Sequence, residues 1–185
     1  MAPALTPLGI SALALLAERP MHPYEMYQLL MERAEDRVVK VRPGSLYHTV
    51  DRLAGQEYVR ATGTQREGNR PERTTYEITA EGRSVLLGQL RELLAVPLNE
   101  YPRFPLALSE SHNLPRETVL QLCRQRAELL ASAARRIDAG IEHAKAAGAD
   151  EKYWIDMRYQ RAMLAAETAW LGEFLADLDS GRLAW

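Results

Sequence analysis

The chain has 185 residues, 46% of them apolar and 26% charged, with a formal net charge of −2. That supplies the core of one medium domain or two small ones and matches the composition of an ordinary soluble protein. A single cysteine, Cys123, excludes an internal disulfide and any cysteine-based metal cluster.

The apolar start, Met1 to Leu16, lacks a basic lead and a cleavage pattern, so it does not read as a signal peptide. No uncharged run reaches the ~20 residues needed to span a bilayer. A cytoplasmic protein with no membrane partner is expected. Thr6-Pro7 reads as a helix cap followed by proline at the first helical position. The helix runs to about Glu18, with Leu8, Leu13, Leu15 and Leu16 inward. Arg19-Pro20-Met21 breaks it. His22-Pro23 opens a second helix with Tyr24, Met26, Tyr27, Leu29, Leu30 and Met31 on its apolar side. Val38 to Val41 is a short extended link. A third helix follows from Pro43 or Gly44 to Gln56, with Leu46, Val50 and Leu53 on one face. Glu57–Arg66 and Thr74–Thr79 read as two strands joined by the turn Gly68-Asn69-Arg70-Pro71. Thr79 caps a fourth helix from Ala80 to about Val96.

Pro97, Pro102 and Pro105 then mark a boundary at which regular helix stops. Pro115-Arg116-Glu117 opens a long helix ending near Ala147, with Gly148 as its stop. Along it Leu120, Cys123, Ala127, Leu130, Ala134, Ile137, Ile141 and Ala144 alternate steps of three and four, a heptad seam. A last helix, Asp150 to Asp179, repeats the pattern less cleanly. The expected division is residues 1–96, a linker over 97–114, and a two-helix region over 115–185. The apolar excess on the last two helices suggests a second copy of the chain as partner, with the seam from Leu120 to Ile141 as the dimerisation surface. The alternative is a monomeric helical hairpin.

The third helix and the hairpin carry the chemistry. The start of a recognition helix needs residues that donate to phosphate or read a base edge without bulk. Ser45, Tyr47, His48 and Thr49 fit, with Arg52 a turn later. Gly44 allows close approach to a phosphate at the helix N-terminus, and Arg42 adds counter-charge. The hairpin tip carries Arg66, Asn69, Arg70 and Arg73, suited to phosphates or a minor groove. Each part alone could be a plain N-cap or a solvated turn. Helix, helix, helix and hairpin in this order form a winged helix-turn-helix. Arg37 to Arg73 holds eight basic and four acidic residues, a net +4, so the rest of the chain is acidic. The fold expected is mainly α with a small β-hairpin wing, the N-terminal winged helix-turn-helix preceding a C-terminal antiparallel helical dimerisation domain.

His22-Pro23-Tyr24-Glu25-Met26, Gly44-Ser45-Leu46-Tyr47, Arg52-Leu53 with Gly55, and the run from Arg73 through Thr79 to Gly82 resemble the PadR-type transcriptional regulators over about residues 5–95. Two positions depart from that family's pattern: Pro23 stands where glycine is usual and His48 where proline is usual. The resemblance implies a dimeric repressor on a pseudo-palindromic DNA operator, released by a small effector or another signal. It implies DNA contacts at Ser45, Tyr47 and the wing arginines. Aromatic side chains suit a flat effector, which makes Tyr153, Trp154, Trp170 and Phe174 the candidates, with plain packing as the alternative. No cofactor is expected. His22, His48, His112 and His143 form no metal-ligand pattern, and no nucleophile or phosphate-binding motif occurs, so catalysis is not expected. A winged helix that serves only as a protein-interaction module is a third reading.

Overall fold

The computed structural model describes residues 5–65 and 73–185, with the backbone alone at 64, 65 and 73. Seven α-helices and one hairpin occur among these residues: α1 Pro7–Glu18, α2 Pro23–Glu32, α3 Pro43–Gly55, β1 Val59–Gln65, β2 Arg73–Ile78, α4 Ala80–Ala95, α5 Arg103–Ser109, α6 Arg116–Ala146 and α7 Ile155–Ser180. The chain divides into two compact units, Met1–Asn99 and Glu100–Trp185.

In the first unit, side chains close three of the helix starts. The Gly9 N–H donates to Thr6 Oγ1 at 3.2 Å, and the Gly82 N–H to Thr79 Oγ1 at 3.0 Å. The Glu25 N–H donates to the ring nitrogen Nδ1 of His22 at 3.2 Å, so a histidine caps α2. Each such cap satisfies a backbone donor that has no partner within its helix. α3 ends by a different device. Tyr58 N–H donates to the Leu53 carbonyl and Glu57 N–H to the Ala54 carbonyl, with Glu57 in the left-handed region at φ 61°. This is a Schellman closure whose left-handed position is filled by glutamate instead of glycine.

The core is built from one face of each element. Ala12 and Leu13 of α1, Met26 and Leu30 of α2, and Leu46, Val50 and Leu53 of α3 are fully buried, with Leu86 of α4 nearly so. Burying the three α3 side chains contributes roughly 5–9 kcal/mol in transfer terms. The hairpin is antiparallel, Val59 opposite Ile78 and Ala61 opposite Tyr76, with an irregularity between Ala61 and Gly63. Met21 adds a third chain to it by exchanging two 3.1 Å hydrogen bonds with Tyr76. The hairpin thus grows from the link between α1 and α2, which fixes its place beside α3.

The stretch 97–114, expected as a linker, contains α5 and a single 3-10 turn at Ser111–Asn113. Its prolines do not prevent this. Pro102 precedes α5, and Pro105 lies in its first turn, where backbone N–H groups have no intrahelical acceptor to lose. In the second unit α6 and α7 run antiparallel, bridged by Arg124–Asp179, Arg126–Glu167 and Arg161–Asp138. Leu120, Cys123, Ala127 and Leu130 of α6 pack with Leu171, Phe174, Leu175 and Leu178 of α7. At the far end the Trp154 indole is buried and donates to the Ala149 carbonyl at 3.1 Å, closing the corner between the two helices.

Candidate nucleic-acid interface

α3 has two contrasting faces. Leu46, Val50 and Leu53 turn inward, while Gly44, Ser45, Tyr47, His48, Asp51 and Arg52 are exposed. Arg42 stands at the N-cap in extended conformation and makes no side-chain cap hydrogen bond. Pro43 has no N–H. The N–H groups of Gly44 and Ser45 therefore end α3 without a capping side chain, unlike the starts of α1, α2 and α4. Such a helix end favours an anion by its dipole and its free donors. Lys40 is exposed two residues before Arg42, while Val39 between α2 and α3 is buried and anchors the link.

Two expected contact residues are placed differently from the rest. Thr49 is only 8% exposed, and its hydroxyl donates to the Ser45 carbonyl at 2.8 Å. It faces α1 and steadies the turn that carries Ser45. Arg52 is exposed, but its guanidinium donates to Thr6 Oγ1 at 2.9 Å, tying α3 to the start of α1. Arg66, Asn69 and Arg70 lie outside the described residues, as does the side chain of Arg73. At the base of the hairpin Arg60 pairs with Glu77 across the strands. Asp51 was not singled out from the sequence. It is an exposed acid on the outward face of α3, one turn beyond Tyr47. Burial, and then the Asp51 charge, hold the Tyr76 phenol above its ordinary range.

The junction behind the hairpin is tight. The Thr79 hydroxyl lies 2.8 Å from the Glu57 carbonyl and 3.1 Å from that of Tyr58, and the Thr79 N–H donates to Tyr58 at 3.0 Å. A Cβ added at Gly82 would lie 2.0 Å from the Tyr58 carbonyl oxygen. Glycine alone lets the first turn of α4 rest on the backbone that joins α3 to β1.

The remaining expected sites are dispersed. The lower seam of α6 is filled from within the chain: Leu120 and Cys123 are 5% and 7% exposed against α7. Ala134, Ile137 and Ile141 are half-buried further along. The four effector candidates do not form one group. Tyr153 is largely exposed and Trp154 is buried at the corner. Trp170 and Phe174 stack 5.1 Å apart near the other end of α7, roughly 24 Å along the helix from Trp154. Phe104 meets Trp170, and Trp185 meets Phe174, each at 6.3 Å. Among the described residues, no helix is long and apolar enough to cross a membrane and no cluster could hold a metal ion.

A buried-backed helix presenting small polar residues, followed by a hairpin anchored on the first helical link, defines a winged helix-turn-helix protein, the class that sets its second helix of the pair into the major groove. Over residues 12–87 the chain matches the transcriptional regulator PadR-like family. Its fold is similar to that of Bacillus subtilis PadR in complex with operator DNA, with a TM-score of 0.77 and 16% identity over 92% of this chain and 97% of that one. The same protein in complex with p-coumaric acid gives 0.74 and 15%, over 93% and 98%. The Vibrio cholerae virulence activator AphA gives 0.68 and 17%, over 94% and 98%. At these identities the likeness is one of fold. No curated protein matches the sequence.

Proposed function

We propose that the protein is a PadR-like regulator that binds a pseudo-palindromic operator as a homodimer, represses transcription from it, and releases it on binding a small molecule. The observation that carries the DNA reading is the outward face of α3. Ser45, Tyr47 and His48 stand on a helix whose other face is fully buried, so their positions are fixed before DNA arrives. Ser45 and His48 face base edges, Tyr47 and the Gly44 and Ser45 N–H groups take phosphates, and Arg42 adds charge. Thr49 acts through Ser45, and Arg52 through its hold on α1. The wing arginines Arg66, Arg70 and Arg73 and Asn69 follow the phosphates beyond. That a PadR with the same fold is seen with operator DNA supports this reading.

The dimer is supported by the apolar surface that one chain leaves uncovered. On α7, Ile155, Tyr159, Met163 and Trp170 are 52%, 67%, 53% and 42% exposed at helical spacing. A second copy covering this stripe presents two copies of α3, which a surface of few cations needs in order to hold DNA firmly. Release by a small molecule rests on the p-coumaric acid complex of the same neighbour and on the aromatic group around Trp170 and Phe174. Repression rather than activation follows the family resemblance, although a neighbour of the same fold is an activator.

Hydroxyl-radical footprinting on the DNA upstream of the coding region tests the reading. A dimer protects two patches about 10 base pairs, or a multiple, apart. A single patch, or uniform protection, contradicts it. Ser45→Ala and His48→Ala should change which sequence is protected, because base contacts specify while phosphate contacts only position.

A further inference from the structure

The screw of the helix sorts the exposed residues of α3 by direction. Successive residues turn by about 100°, and Leu46, Thr49, Val50 and Leu53 mark the buried side. Gly44, His48, Asp51 and Gly55 then fall within roughly 30° of the line opposite that side. Ser45 and Arg52 stand to one flank of the line and Tyr47 to the other. A Cβ added at Gly44 or Gly55 would meet nothing within 4 Å, so both ends of the line are open. His48 and Asp51, both exposed, are therefore the two side chains on the centre line of the outward face. Neither makes a hydrogen bond or ion pair with another described residue. Their neighbours are committed, Arg52 to Thr6 and Thr49 to the Ser45 carbonyl.

We propose that His48 and Asp51 read two adjacent G·C pairs, His48 the guanine of one and Asp51 the cytosine of the next. This rests on the reading of α3 as the helix that enters the major groove. Residues three apart rise about 4.5 Å along a helix axis, close to the ~3.4 Å between stacked base pairs, so the two side chains meet neighbouring pairs. An imidazole N–H donates, and guanine shows it two acceptors, O6 and N7. Adenine shows one acceptor beside an amino group. An ionised aspartate only accepts. Cytosine offers it the N4 amino group with no acceptor alongside, whereas the adenine amino group lies beside N7, and guanine and thymine present an oxygen. Asp51 thus excludes as well as reads. Its charge opposes the phosphates of any duplex, and a cytosine amino group offsets part of that opposition.

Selection of duplexes from a pool of random sequence by the protein, followed by sequencing, tests the assignment. Wild-type protein should enrich a motif that contains two adjacent G·C pairs. His48→Ala should lose the guanine preference and keep the cytosine. Asp51→Asn should tighten binding to all duplexes, mismatched ones most, and should admit adenine at the cytosine position, because asparagine pairs with adenine N6 and N7. Both residues are exposed, so the circular dichroism of each variant should stay native. Replacing the guanine pair of the selected duplex by any other pair should weaken wild-type binding about tenfold and leave His48→Ala binding within about twofold. A motif without adjacent G·C pairs overturns the assignment and leaves the operator reading standing. So does a guanine preference that survives His48→Ala, or a strict cytosine preference that survives Asp51→Asn. Enrichment of no motif overturns the assignment and the operator reading together.

Discussion

Gly82 and Gly88 lie on the same helix and should respond to the same substitution with opposite sign. Alanine normally stabilises a helix interior by about 1 kcal/mol relative to glycine. At Gly88 a Cβ meets nothing within 4 Å, so Gly88→Ala should stabilise by about 0.5–1 kcal/mol. At Gly82 the Cβ would stand 2.0 Å from the Tyr58 carbonyl oxygen and 2.8 Å from its carbon. Those are backbone atoms and cannot swing aside, so the first turn of α4 must lift. Lifting it loosens the Thr79 contacts to Glu57 and Tyr58 and the seating of Leu86, which is 4% exposed. Overpacking of this kind costs about 1–3 kcal/mol, and a weakened buried hydrogen bond about 1 more. Set against the propensity gain of about 1, Gly82→Ala should destabilise by about 1–3 kcal/mol. Urea unfolding followed by circular dichroism reads both, as shifts in midpoint at unchanged slope. If both variants raise the midpoint, the tight seating of α4 on Tyr58 is refuted.

Glu57 occupies a left-handed position, and Glu57→Gly should raise the unfolding midpoint by an amount equal to about 0.5–1 kcal/mol, whereas a drop would mean the closure of α3 is not under strain. The Arg33 hydrogen bonds, at 2.6 and 2.9 Å, hold the Glu18 carboxyl below its usual range. Its stabilisation is thus present above the unfolded glutamate value and lost as pH falls through the lower folded one. Both side chains are nearly half exposed, so Glu18→Gln should cost under about 1 kcal/mol at neutral pH, and the gap should close below about pH 4, as a pH series of melting curves would show. Tyr159→Glu with Met163→Glu should turn a dimer into a monomer in light scattering without altering helix content; an unchanged mass would place the partner surface elsewhere. Asp51→Asn removes an acid from the exposed face of α3 and should tighten binding to every DNA sequence in fluorescence anisotropy, unless Asp51 turns from the duplex, in which case affinity stays the same.

The first unit was legible because its punctuation is local. Thr6-Pro7, His22-Pro23 and Thr79 mark helix starts by cap chemistry, and Leu46, Val50 and Leu53 repeat on one face, so α1 to α4 and the hairpin follow from neighbouring residues. α5 was not legible, since three prolines read as breakers and only the structure puts Pro105 in a first turn. The α6 seam shows a general limit of patterns. A heptad stripe says that a helix is covered but not by what, and α7 of the same chain covers its lower half. Periodicity did not separate Thr49 from His48 either, because adjacent positions on a helix differ by 100°, enough to turn one inward and the other out. The aromatic candidates were grouped by type, and helix length then spread them apart.

The central claim is that the exposed face of α3 reads an operator. Fluorescence anisotropy with DNA from upstream of the coding region, against a shuffled duplex, tests it most directly when both are titrated across salt. Wild-type protein should prefer the upstream DNA by about 10³ or more and lose affinity for both steeply as salt rises, while Tyr47→Ala should weaken both and Ser45→Ala should shrink the preference. Equal affinity for the two duplexes, or a preference that survives both substitutions, would contradict it.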